Sequence, residues 1–365
     1  LALDGYIRSR RSGGKSFNVV SLDLRKAFDS VAHSSIARGL RRHQVSEQLS
    51  EYILSTLRHA TTTIQCGGAR SGPISIHSGV KQGDPLSPIL FNIVMDELVD
   101  HLNRSHTGGT VVPGSRVSAM AFADDLILLE DRDLDMPATL DAAQAFLNAR
   151  GMSINPKKCV SISAVRVGGR AVTRTRPCFK IAGQLLPALG AFSTFRYLGL
   201  RYGAAGTQKA NLFHLNSWLT NLERAPLKPQ QKFGLLTAHI VPKMLYGLQT
   251  PKLTAAILTE CDRLIRRTTR RILHLNSHTG NQFLHARVSD GGLGVPELRR
   301  LVPWILAKRF ATLRHHDDPL ISSLLENPGP AQDLMVKTEL LVKGPPDAFW
   351  REELTTRPYS AGLEE

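Results

Sequence analysis

The chain has 365 residues, 42% hydrophobic and 21% charged. That suits two or three domains with real cores and excludes a disordered chain. Its formal net charge of +15, carried mostly by arginine, points to a polyanionic partner, because the guanidinium suits phosphate.

No apolar run approaches the ~18 residues of a membrane span, so no membrane partner is expected. Cys66, Cys159, Cys178 and Cys261 lack the spacing of a zinc module or a disulfide framework. Reduced intracellular thiols are the expectation. Residues 317–365 hold ten acidic and four basic side chains, so the basic, partner-binding part lies upstream. The chain begins at Leu1 rather than Met and is expected to be an internal piece of a longer protein.

In chain order, residues 1–16 read as the end of a helix and a basic loop. Residues 17–24 read as a strand. Asp23 lies inside that pattern, where capping does not explain it. Asp29 or Ser30 is expected to cap a helix running through Ile36 and Leu40. Two further helices are expected between Ser35 and His59, then a hairpin of residues 61–66 and 72–77 around a Gly-rich turn.

The run Gln82-Gly83-Asp84-Pro85-Leu86-Ser87-Pro88 enters a helix, with Ser87 as N-cap and Pro88 as its first residue. Leu90, Val94, Leu98 and Leu102, with Phe91, form its apolar face. Gly83 permits close backbone approach to a ligand, and Gln82 sits just upstream of the helix's positive end. An ordinary loop into a helix fits the same residues.

Residues 121–129, Ala-Phe-Ala-Asp-Asp-Leu-Ile-Leu-Leu, place two carboxylates in an apolar run that reads as buried strand. Neighbouring strand side chains point to opposite faces, so Asp124 and Asp125 converge only at a hairpin tip. The plain alternative is a two-residue turn, where Asp is common. A helix over 137–150 ends at Gly151. Lys158 precedes a strand, 160–165, and is either a phosphate contact or a surface lysine. A short strand with a tight turn covers Phe195 to Leu200.

From Gln208 the pattern is helical, and Pro226, Pro229, Pro242 and Pro251 are expected to cut it into short helices. In a helix over 258–273, Arg263, Arg266, Arg267, Arg270 and Arg271 share one face. Only Glu260 and Asp262 are near to relieve their repulsion, and a phosphate backbone would do so.

Asp23, Asp124 and Asp125 thus stand at strand ends in a basic chain with a Gly-rich turn at a helix start. Carboxylates in such a set hold paired Mg²⁺ ions about 3.5–4 Å apart in nucleotidyl transfer, and hard oxygen ligands suit Mg²⁺. At this point the motifs resemble those of reverse transcriptases. Residues 23–31 are similar to their first palm motif, and Phe122-Ala123-Asp124-Asp125 to their aromatic-x-Asp-Asp motif. Residues 82–88 resemble the motif between, in the form found in non-LTR elements. Residues 151–158 resemble the next motif, and Tyr197-Leu198-Gly199 the primer grip. Residues 226–232 and 289–296 resemble the thumb and post-thumb of the site-specific R-two class, which inserts into ribosomal RNA genes. His274-Leu275-Asn276 departs from the His-Leu-Pro of that class.

The resemblance implies an α+β fold, an antiparallel palm sheet with packed helices followed by a helical thumb, with the fingers largely missing. It implies the end of the fingers at 1–16, palm at 17–205, thumb at 206–285 and a linker toward an absent endonuclease at 286–365. It implies an RNA-directed DNA polymerase with two Mg²⁺ ions on Asp23, Asp124 and Asp125 and the Leu24 carbonyl. Phe28 would be a sugar gate. Gln82 and Gly83 would line the nucleotide and template pocket. Lys158 would donate a proton to pyrophosphate, and Tyr197, Leu198 and Gly199 would support the primer. Element RNA, a nicked DNA target as primer, dNTPs and nuclear work are implied with it. Two other readings are a non-catalytic RNA-binding remnant and a maturase-type reverse transcriptase of a group II intron.

Overall fold

The computed structural model describes residues 2–326, apart from 106–107, 113–114, 209–211, 250–252 and 315. The chain divides into two compact units, Tyr6–Gly206 and a second formed by Thr207 onward with the first five residues.

The first unit is built on five antiparallel strands. They are β1 (Phe17–Leu22), β2 (Ala119–Phe122), β3 (Asp125–Glu130), β4 (Val160–Val167) and β5 (Arg170–Arg174), in the spatial order β5-β4-β1-β3-β2. The apolar runs seen in the sequence explain the centre. Val19, Val20 and Leu22 of β1 and Leu126 to Leu129 of β3 are all buried, as expected of strands covered on both faces. Leu22 pairs with Leu126 in the β1–β3 ladder, which brings the end of β1 to the start of β3.

Helix Ser87–Ser105 buries Leu90, Phe91, Val94, Leu98 and Leu102, the face read from the sequence, in one core with Val20, Leu22, Leu126 and Leu128. Helix Met136–Asn148 adds Leu140, Ala143 and Leu147 to that core. It ends where the sequence indicated: Gly151 takes φ 78°, and the Met152 N–H bonds back to the Leu147 carbonyl at 3.0 Å.

Two expected caps fail. Lys26 turns left-handed, at φ 42°, and residues Ala27–Ser30 form a short helix of their own, so the next helix, His33–Arg42, starts from Ala32. Asp29 is thereby inside a turn rather than at a cap. Ser87 spends its hydroxyl on the Lys81 carbonyl at 2.6 Å, which closes the 81–87 loop on itself.

In the second unit Pro242 does not cut the helix. Pro229–Leu235 runs through a π-helical turn, Leu236–Ile240, into Val241–Leu248, and the wider turn accommodates the missing proline N–H. The division expected at residue 286 has no counterpart in the packing. Leu298, Val302 and Leu306 of helix Leu298–Arg314 share one core with Leu258, Leu264 and Ile265 of helix Ala255–Ile272. The acidic residues beyond 326 lie outside the described residues.

Candidate active site

Asp23 is the first residue past β1, and Asp125 is the first residue of β3. Phe122 pairs with Asp125 across the β2–β3 hairpin, which leaves Ala123 and Asp124 as its two-residue tip. Ala123 holds φ 52°, a left-handed value unusual for a residue with a Cβ. The turn reading of these residues describes the geometry: Asp124 is in the turn, and the turn sits beside Asp23.

The electrostatics follow. Partial burial pushes the Asp125 carboxyl up from its ordinary value, and the charges of Asp124 and Asp23 push it further. The backbone N–H of Leu198 bonds to it and pulls the other way. That N–H belongs to a second hairpin, Phe195–Tyr197 with Leu200–Gly203, whose turn residues Leu198 and Gly199 take φ 46° and 77°. Both positive values match the right-handed strand twist, and the turn aims an amide at Asp125. Tyr197 is buried beside it. Burial, and then the Asp125 charge, push its phenol up to about 12.

Asp23 is held by its backbone. Its N–H donates to Cys159 Sγ at 3.3 Å, and its carbonyl accepts the Asn155 N–H at 2.8 Å. The Cys159 thiol donates in turn to the Asn155 carbonyl at 3.2 Å. Burial pushes that thiol up to about 11, so it is a neutral buttress. Lys158 Nζ stands 3.8 Å from Asp23 Oδ2, and the lysine side chain is otherwise exposed. The short pairing of Leu24 with Ile154 fixes the same junction.

The 78–83 loop lies against the turn after Asp23. The Val80 N–H donates to the Phe28 carbonyl at 2.7 Å, and the Gly79 N–H to the Val31 carbonyl at 2.8 Å. Gln82 Nε2 donates to Asp29 Oδ1 at 3.2 Å. Gly83 takes φ 92°, which favours glycine, and faces open space. Phe28, Gln82 and Gly83 are thus gathered on one local structure.

The donor set suits a hard divalent cation. It consists of carboxylate oxygens, and the charges of Asp124 and Asp23 raise the Asp125 carboxyl, a repulsion that positive charge relieves. Among the described residues, no three His, Cys, Asp or Glu side chains already stand around a common point at metal-ligand spacing.

In the second unit the arginines of helix Ala255–Ile272 line an open cleft with Ser277 and Asn281. They are not equivalent. Arg263 pairs with Glu260, and Arg271 with Glu223. Arg270 bonds the Thr279 carbonyl and Asn281. Asp262 is the neutralising neighbour expected only in part. Arg266 acts on it electrostatically, but it is buried, and its carboxylate accepts the N–H groups of Leu298 at 2.7 Å and Arg299 at 3.0 Å. It caps helix Leu298–Arg314 as well.

The model of the family described as "Reverse transcriptase (RNA-dependent DNA polymerase)" matches residues 6–202. A Retrovirus-related Pol polyprotein from type-1 retrotransposable element R2 of Popillia japonica is 50% identical over all of this chain, which spans 61% of that relative. The Pol polyprotein from type-2 retrotransposable element R2DM of Drosophila melanogaster is 30% identical, again over the whole chain and 35% of its own length. Among solved structures, a Candida albicans telomerase with a fragment of telomeric RNA aligns at 12% identity and a TM-score of 0.44, over 89% of this chain and 52% of that one.

Proposed function

Because this chain belongs to the reverse transcriptase family, we propose that it copies the RNA of a non-LTR retrotransposon into cDNA, as the polymerase part of a longer Pol protein. Its template is element RNA, its substrates are dNTPs, and its primer is the 3′ end of a DNA target nicked by an endonuclease of the same protein. The nucleus, where that target lies, is the place of work.

The family uses divalent metal ions. The finer assignment is two Mg²⁺ ions on the carboxylates of Asp23, Asp124 and Asp125 and the Leu24 carbonyl. Such ions lower the pKa of a primer hydroxyl and neutralise charge on pyrophosphate. The chain's own residues do the rest. Leu198 N–H orients Asp125, and the Cys159–Asn155 pair orients Asp23 through its backbone. Phe28 meets the sugar, Gln82 and Gly83 border the nucleotide and template, and Lys158 Nζ supplies a proton toward the leaving pyrophosphate. Tyr197, Leu198 and Gly199 support the primer end. Arg266 and Arg267 face phosphate, while Arg263, Arg270 and Arg271 hold the helix surface in shape.

The observation that carries this reading is that Asp23, Asp124 and Asp125 lie at one end of the sheet, close enough for the charges of the first two to raise the Asp125 carboxyl. Primer extension on RNA and DNA templates, with dNTPs and Mg²⁺, tests it. RNA-templated synthesis is expected. RNA binding with no synthesis on either template, even with the flanking segments of the Pol protein restored, would favour a non-catalytic remnant.

A further inference from the structure

An aromatic ring excludes a 2′-hydroxyl only if it cannot retreat. Phe28 is stacked on Phe91, with ring centroids 4.6 Å apart and planes 19° apart. Phe91 is fully buried in the first turns of helix Ser87–Ser105, within the palm core. The backbone of Phe28 is pinned as well, by the Val80 N–H on its carbonyl. Gly79 comes so close to the next residue that a Cβ there would lie 2.6 Å from the Asp29 backbone. Two separate contacts therefore hold Phe28: a backbone bond from the 78–83 loop and a ring contact from the helix that follows it.

We propose that Phe91 is a specificity-determining positioning residue, the backstop that holds the Phe28 ring where a ribose 2′-hydroxyl would meet it. Discrimination between deoxynucleotides and ribonucleotides then depends on a buried side chain that touches no substrate. The inference rests on Phe28 as the sugar gate. The physical reason is shape. A flat ring behind a flat ring leaves no room to tilt, whereas a smaller aliphatic side chain leaves a void into which Phe28 can swing.

The test measures kcat/KM for a dNTP and the matching rNTP on an RNA template, in the full chain. The variants are Phe91→Leu, the unbranched Phe91→Met, Phe28→Val, and Val94→Ala as a control for loosening the same buried helix face. Both Phe91 variants are expected to lower discrimination about two- to tenfold, the range an aromatic pair is worth. The change comes mainly from a gain with the rNTP, and Val94→Ala leaves the ratio unaltered. Relaxed selection in Phe28→Val with unchanged selection in both Phe91 variants would overturn the proposal and leave the gate standing. Unchanged selection in all variants would overturn both. Equal relaxation in Val94→Ala would overturn the backstop in favour of general core loosening.

Discussion

Asp262 offers the sharpest quantitative test of the second unit. Its side chain is 2% exposed, and both its oxygens accept backbone N–H groups at the start of helix Leu298–Arg314. Asp262→Ala orphans both donors. Hydrogen bonds to a charged group are worth about 1.5–3 kcal/mol each. Part of that sum is already spent on burying the carboxylate, because burial is the largest influence on its pKa and outweighs the two N–H bonds, leaving the pKa raised. A net loss of about 2 kcal/mol follows, a shift of about 1 M in a urea midpoint for a slope of about 2 kcal/mol/M. Asp262→Asn, which keeps one acceptor, should lose about half as much.

The assay is tryptophan fluorescence. No tryptophan lies between Tyr6 and Gly206, and Trp218 and Trp304 lie in the second unit, so a change in their signal reports that unit. The sign of the pH dependence is fixed by the raised pKa. The stability this carboxyl contributes is full below its ordinary value of 3.8 and falls as the pH rises through the folded value. The gap between wild type and Asp262→Ala should therefore narrow from acid toward neutral pH. A loss under about 0.5 kcal/mol would refute the capping role.

Three further outcomes follow. Arg266→Ala and Arg267→Ala should each lower RNA affinity and reduce its salt slope by roughly 0.7–0.9, measured by filter binding at several salt concentrations. Arg270→Ala, which loses bonds to the Thr279 carbonyl and Asn281, should show chiefly as a lower urea midpoint. Brief alkylation at pH 8 should label exposed Cys66 and Cys178. It should spare Cys159 and Cys261, whose thiols burial pushes up to about 11 and about 12. Mass spectrometry of the peptides checks this, and rapid labelling of Cys159 would deny it the place behind Asp23.

What the sequence made legible was local. The apolar face of helix Ser87–Ser105, the stop at Gly151 and the strand ends that bear Asp23 and Asp125 follow from periodicity and punctuation within a few residues. What it hid was long-range. Cys159 supports Asp23 from 136 positions away, and a lone cysteine gives no pattern to read. Phe91 looked like one more apolar position, and only the fold lays it against Phe28. The Leu198 amide has no signature at all, since every residue but proline carries one. The wrong expectations share a cause. Spacing points Asp29 and Ser87 to helix caps and Asp262 to the arginine face, whereas Asp29 accepts from Gln82, Ser87 closes its own loop on the Lys81 carbonyl, and Asp262 also reaches helix Leu298–Arg314.

The most direct measurement is Mg²⁺-dependent primer extension on an RNA template by the wild-type chain and by Asp124→Ala, with RNA binding measured alongside. Asp124 sits at the hairpin tip and is exposed, so its loss spares the core. Abolished synthesis with RNA binding nearly intact is the predicted result. Equal synthesis by the two proteins would contradict the assignment of the active site.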